Sequence, residues 1–109
     1  MAVENPRQVF EQEFPARVEA RPTLPQEINA SYQFDVTGPA GGTWTVDLTA
    51  AGGGKITEGK AGEPGCVVTV ADNVFVDIIN KKTNTQLAFM TGKIKVSNVN
   101  LALKLAKVL

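Results

Sequence analysis

The chain has 109 residues, 43% of them hydrophobic and 20% charged, the balance of one globular unit with a single core and no room for two. Eleven basic residues offset eleven acidic ones, so the bulk charge gives no reason to expect nucleic-acid binding. No stretch nears the ~18 consecutive apolar residues of a membrane-spanning helix, and the absence of histidine removes the commonest general base and metal ligand.

In chain order, the first element opens at Asn5-Pro6 with Gln8: a side-chain cap, a proline at the first helical position and a capping-box partner. Phe10 and Phe14 follow four residues apart, on one helix face. Pro15 lacks an N–H and clashes with the preceding turn, so it is expected to stop this helix and open a second short one reaching Ala20. Residues 22–25, bounded by prolines, are expected to be a connector.

"ASYQFDVTGPAGGTWTVDL" alternates as a β-hairpin around a Gly-Pro-Ala-Gly-Gly turn. Pairing about Ala40 opposes Tyr32 to Leu48, Phe34 to Val46 and Val36 to Trp44, all on one covered face. Gln33, Asp35, Thr43, Thr45 and Asp47 fall on the other. Short strands are expected over residues 55–58 and 66–70. Asp72 then caps a helix whose Val74, Phe75, Ile78 and Ile79 form an apolar stripe.

A short helix around residues 86–90 ends at Gly92, and "KIKVS" alternates as a last strand with Ile94 and Val96 inward. From Val99 to Leu109, eight of eleven residues are apolar, more than a helix resting on one sheet requires. Val99, Ala102, Leu103 and Ala106 would fill the sheet-facing stripe. Leu101, Leu105, Val108 and Leu109 remain as a second apolar face, to wall a cavity or to interlock with the Phe10–Phe14 helix. The residues therefore predict one α+β domain over residues 1–109, with antiparallel strands and helices laid over one face.

Charge is distributed unevenly along this domain. Residues 1–77 hold all eleven acids against five basic residues, a net −6, whereas residues 78–109 hold six lysines and no acid, a net +6. Those lysines either solvate a hydrophobic segment or attract anionic groups such as lipid head groups.

Motifs for catalysis are missing. "GGGKITEG" lacks the Ser or Thr that a phosphate loop places after its lysine, so its glycines are turn residues. Asp35 and Asp47, near diagonal neighbours on the outer hairpin face, lie outside any cleft. The single Cys66 cannot form an internal disulfide, and at the start of an apolar strand it is expected to be a buried thiol. Neither an enzyme, a cofactor nor a metal site is expected. The charged N-terminal stretch and the Lys-Val-Leu ending carry no targeting signal, which makes the expected setting cytoplasmic.

Three stretches resemble the sterol carrier protein-2 domain family. "INASYQFDVTGPAGGTWTVDL" is similar to its opening hairpin, with the Tyr-Gln-Phe triplet and the Trp-x-x-Asp-Leu pattern. Glu58-Gly59 resembles its Glu-Gly turn, and "NTQLAFMTGKIKVSNVNLALKL" its Gln-x-Ala-Phe-x-x-Gly-Lys run and Ala-x-x-Leu helix. The resemblance covers roughly residues 28–107. The chain departs from it at Asn-Lys-Lys after Ile79, where the family commonly has glycine, and at "VSNVN", where it has Gly-Asn-Met.

The resemblance implies a five-stranded, mainly antiparallel sheet, helices covering one face, and an apolar tunnel between the layers. It implies binding and transfer of sterols, fatty acids, fatty acyl-CoA and phospholipids. The lining expected here is Phe10, Phe14, Phe34, Trp44, Phe75, Ile78, Ile79, Gln86, Phe89, Met90, Leu101, Leu105 and Val108, with Lys81, Lys82, Lys93 and Lys95 meeting head groups or an anionic membrane surface. The alternative is an accessory subunit, a monomer or weak homodimer, that docks on a lipid-metabolising enzyme.

Overall fold

A computed structural model describes residues 4–49, 51, 53–60 and 62–105. Five strands form one sheet in the order β3-β2-β1-β4-β5: β1 (Ala30–Thr37), β2 (Gly42–Leu48), β3 (Lys55–Glu58), β4 (Cys66–Ala71) and β5 (Ile94–Val96). The β1–β2, β2–β3 and β4–β5 pairs are antiparallel. The central β1–β4 pair is parallel, setting Tyr32 beside Cys66 and Phe34 beside Val68. The sheet is therefore mixed and mainly antiparallel.

The hairpin register differs from the expected one by two residues. Tyr32 opposes Val46 and Phe34 opposes Trp44, because the chain reverses about Pro39, where the Gly41 N–H donates to the Gly38 carbonyl at 3.0 Å. A slip of two keeps every side chain on its face, so the expected apolar set is unchanged. It does separate Asp35 from Asp47, since the Gln33–Thr45 pair now lies between them. Gln33 and Thr45 are buried on this outer face rather than exposed. Each has a partner: Gln33 donates to Asp35 Oδ1 at 3.0 Å, and Thr45 donates to the Gly59 carbonyl at 2.8 Å.

Helices cover the opposite face. Asn5 caps the first, accepting from the Gln8 N–H at 3.0 Å, with Pro6 at the start as expected. Pro15 does not end it. The α-helical α1 (Pro6–Gln8) widens into a π-helical stretch (Val9–Glu13), in which the Phe14 N–H reaches the Val9 carbonyl, and continues as α2 (Phe14–Ala20). Widening the turn relieves the clash that a proline ring otherwise makes with the preceding turn. The connector expected at residues 22–25 instead leads into a helix, α3 (Leu24–Ile28), with Pro25 in its first turn and left-handed Asn29 at its end.

Asp72 opens α4 (Asp72–Ile79) without capping it in the expected way. Its carboxylate accepts from the Asn73 N–H at 2.7 Å and from the Ala40 N–H at 3.0 Å, tying the hairpin turn to the helix. α5 (Thr85–Met90), capped by Asn84, and α6 (Val99–Leu105) complete the layer.

The core lies beneath α1–α4 and is aromatic. Phe10 stacks on Trp44 with ring centroids 4.5 Å apart, and Phe14, Phe34 and Phe75 surround it within 5.4 Å of its ring.

Candidate functional site

At the other end of the helical layer, α4, α5 and α6 do not close on the sheet. Between them lies a cavity of about 230 Å³. Its floor is inward-facing strand residues, Phe34 of β1, Val68 and Val70 of β4, and Ile94 and Val96 of β5. Phe75 and Ile78 of α4 form one wall. Thr85, Gln86 and Phe89 of α5 face Val99, Ala102, Leu103 and Leu105 of α6. The space exists because small residues stand where large ones would fill it. α5 gives the core only Ala88, α6 turns Ala102 inward, and β5 is three residues long.

The position of α6 is set from outside the cavity. Leu101 and Leu105, one turn apart, carry its core-facing line. The buried Tyr32 hydroxyl donates to the Leu101 carbonyl at 2.6 Å. Burial pushes this hydroxyl up to about 12, with Cys66 adding to the shift, so it remains a neutral donor at ordinary pH. Leu101 also approaches Gly65 so closely that a Cβ there would sit 2.9 Å from its Cδ1. Asn98 caps α6, accepting from the Leu101 N–H at 3.1 Å.

The described residues of α6 thus divide between core and cavity differently from the expected split. Leu101, expected in the lining, packs toward β1 and Gly65, while Val99, Ala102 and Leu103, expected on the sheet, border the cavity. Of the expected lining, Phe34, Phe75, Ile78, Gln86, Phe89 and Leu105 meet there. Phe10, Phe14 and Trp44 do not; they belong to the aromatic core, as periodicity alone cannot tell core from lining. Ile79 is buried outside the cavity, and Met90 points into solvent. Val108 lies outside the described residues.

The strand floor, Val68, Val70, Ile94 and Val96, stands outside the expected lining, although alternation turns these residues inward, as expected for Ile94 and Val96. Thr85 went unmarked because nothing in local spacing shows which side of a six-residue helix faces a cavity.

Every lining residue except Thr85 and Gln86 is apolar, and none titrates. Among the described residues no cluster of carboxylates or thiols could hold a metal ion. The cavity can offer apolar contact over most of its surface and a hydrogen bond at one end. Phe89, Val99 and Leu103 are at least a third exposed and mark its mouth. Lys81, Lys82 and Lys93 are exposed on the segments flanking α5, and Lys104 beside Leu103. Lys95 alternates with the inward Ile94 and Val96, so it stands on the outer sheet face, away from the mouth.

A family model described as the SCP-2 sterol transfer family matches residues 11–109. The chain belongs to this family. It is 40% identical over 82 residues to hydroxysteroid dehydrogenase-like protein 2 of Mus musculus, a match covering 73% of this chain and 16% of that protein. The chain thus spans about a sixth of that relative's length.

Among solved structures, the sterol carrier protein domain 2 of Helicoverpa armigera matches with a TM-score of 0.77 and 32% identity, covering 99% of this chain and 91% of that one. Palmitated SCP2L2 of Aedes aegypti matches with a TM-score of 0.78 and 30% identity, covering 99% and 94%. The five-stranded mixed sheet under one helical layer is therefore the SCP-2 fold.

Proposed function

We propose that the chain binds lipid non-specifically by an acyl chain or comparable apolar body in the α4–α5–α6 cavity, and carries it between membranes or to enzymes. The observation that carries this reading is the composition of the cavity: fourteen lining residues, of which only Thr85 and Gln86 are polar. Such a surface favours an apolar ligand with one polar end. The palmitate carried by the Aedes aegypti relative supports a fatty acid or its acyl-CoA as occupant. At about 230 Å³ the cavity is smaller than the ~300–1,000 Å³ usual for ligand sites, which favours a single flexible chain over a rigid sterol unless the mouth widens.

In this reading the protein is not itself an enzyme, and it works in the cytoplasm, where its free Cys66 stays reduced. Lys81, Lys82 and Lys93 meet anionic head groups. A second reading, an accessory role beside a lipid-metabolising enzyme, is favoured by the relative in which the matching segment is a small part of a dehydrogenase-like protein.

The test is displacement of a fluorescent fatty acid from delipidated protein, comparing wild type with Ala102→Phe. Ala102 is partly buried at the cavity wall, so the added ring fills the space without removing a core contact. Uptake by wild type and its loss in a folded Ala102→Phe protein support carriage in this cavity. Equal uptake by both, or none by wild type with fatty acid, acyl-CoA, phospholipid and sterol, refutes it.

A further inference from the structure

Among the described residues the large exposed apolar side chains are Leu87, Phe89 and Met90 of α5, with Val99 and Leu103 of α6. Phe89, Val99 and Leu103 border the cavity, which accounts for them. Leu87 and Met90 serve neither cavity nor core, yet they are 57% and 74% exposed. α5 is inverted: its small Ala88 is buried while its larger apolar residues face water. Folding alone gives no reason for this arrangement, whereas an apolar patch continuous with a cavity mouth marks a surface that meets something else.

The charge pattern selects the partner. Lys81 and Lys82 lead into α5, Lys93 follows it, and Lys104 adjoins Leu103, while no acid occurs anywhere in the chain after Asp77. Among the described residues none of these four lysines forms an ion pair.

Lys81 adds an independent sign. It sits in the left-handed region at φ 61°, and the Lys81 and Lys82 N–H groups donate to Ile78 and Asp77 to close α4. The same closing pattern at the end of α5 uses Gly92, for which this conformation carries no penalty. A lysine where glycine fits better points to use of its charge. An apolar ridge framed by unpaired lysines is the surface that an anionic bilayer accommodates, hydrocarbon taking the ridge and phosphates the ammonium groups.

We propose that the α5–α6 rim docks on anionic lipid bilayers, with Leu87 and Met90 entering the acyl boundary and Lys81, Lys82, Lys93 and Lys104 meeting phosphates. The inference rests on the lipid-carrier reading for its purpose, since it sets the cavity mouth against hydrocarbon so that a chain crosses without entering water.

The experiment is flotation with phosphatidylcholine vesicles containing about one third phosphatidylglycerol. It compares wild type, Leu87→Glu and Leu87→Trp, and runs alongside fatty-acid uptake measured without vesicles. Wild type should float and be released by salt. Leu87→Glu should partition at least ~10-fold more weakly, since it removes the leucine that would enter the acyl boundary and adds a charge of the membrane's own sign. The Leu87→Trp emission should shift to the blue on vesicles and be quenched by brominated acyl chains, while buried Trp44 does not change. Uptake in solution should be the same for Leu87→Glu and wild type.

Wild-type flotation of Leu87→Glu, with no shift from Leu87→Trp, overturns the docking surface and leaves the carrier reading standing. Leu87-dependent flotation of a protein that takes up no fatty acid supports the docking surface and refutes the cavity reading instead. A doubled sedimentation mass that Leu87→Glu abolishes, without vesicle binding, overturns the proposal in favour of a second copy of the chain.

Discussion

At the scale of single residues, two side chains carry measurable consequences. Lys81 adopts φ 61° at the end of α4, a conformation costing a non-glycine residue about 1–2 kcal/mol. Glycine gives part of that back through its freer unfolded chain. Lys81→Gly should therefore stabilise the fold by about 0.5–1 kcal/mol in urea denaturation, while weakening flotation on anionic vesicles. A destabilised variant would show that the lysine side chain contributes packing in place of charge.

Tyr32 is held neutral well past its ordinary range, its hydroxyl pushed up to about 12 and donating to Leu101. A group whose pKa is raised on folding contributes stability that is complete below its unfolded value, near 10, and is lost as pH rises through the folded value. Wild type should thus lose stability between about pH 10 and 12 faster than Tyr32→Phe does. At neutral pH the same substitution should cost only about 0.5–1.5 kcal/mol, the net worth of one hydrogen bond. Parallel pH profiles for the two proteins would refute the assignment.

At the scale of elements, α6 is anchored by few residues. Of its described part, Leu105 is buried and Leu101 partly so, whereas Val99 and Leu103 are half or more exposed. At ~1.5–3 kcal/mol per buried large side chain, removing the chain from Val99 onward should cost at least about 3–5 kcal/mol. That is much of the ~5–15 kcal/mol that holds a domain. A fragment of residues 1–98 should show a lowered urea midpoint and a broadened transition; an unchanged midpoint would make α6 a dispensable appendage. The N-terminal helix shows the opposite case. Pro15 was expected to end it after Phe14, yet it runs on to Ala20 through one widened turn, while Phe10 and Phe14 lock into one aromatic cluster.

At the scale of the whole molecule, the cavity couples folding to ligand. Apolar volume left empty costs ~24 cal/mol per Å³, so about 230 Å³ corresponds to roughly 5–6 kcal/mol if kept dry and rigid. That is comparable with the stability of a domain. An occupant that binds only the folded state relieves this cost. At a hundred times its dissociation constant it adds ~2.7 kcal/mol, which in a chain of this size raises Tm by roughly 10–20 °C. Thermal denaturation of delipidated protein with rising fatty acid should follow that dependence. No shift up to the ligand's solubility limit would sever the cavity from the fold's energetics.

What this sequence determined by itself is whatever depends on neighbours along the chain. Asn5-Pro6 and the alternation of Tyr32, Phe34 and Val36 act within a few residues, so the first helix's cap, the strands and their covered faces were legible. The family, too, was legible in three motifs. What only the tertiary structure decided is where surfaces from distant segments meet. The parallel β1–β4 pairing joins residues more than thirty positions apart, and no local pattern encodes it. The rotation of α6 was open for the same reason. Its apolar residues surround most of the helix, so periodicity allowed either side to face the sheet. The Tyr32 hydrogen bond to Leu101 and the close seat of the Leu101 side chain on Gly65 selected one, turning Ala102 and Leu103 to the cavity. Hydrophobicity says that a side chain leaves water; only packing says whether it does so against its own core or around a space.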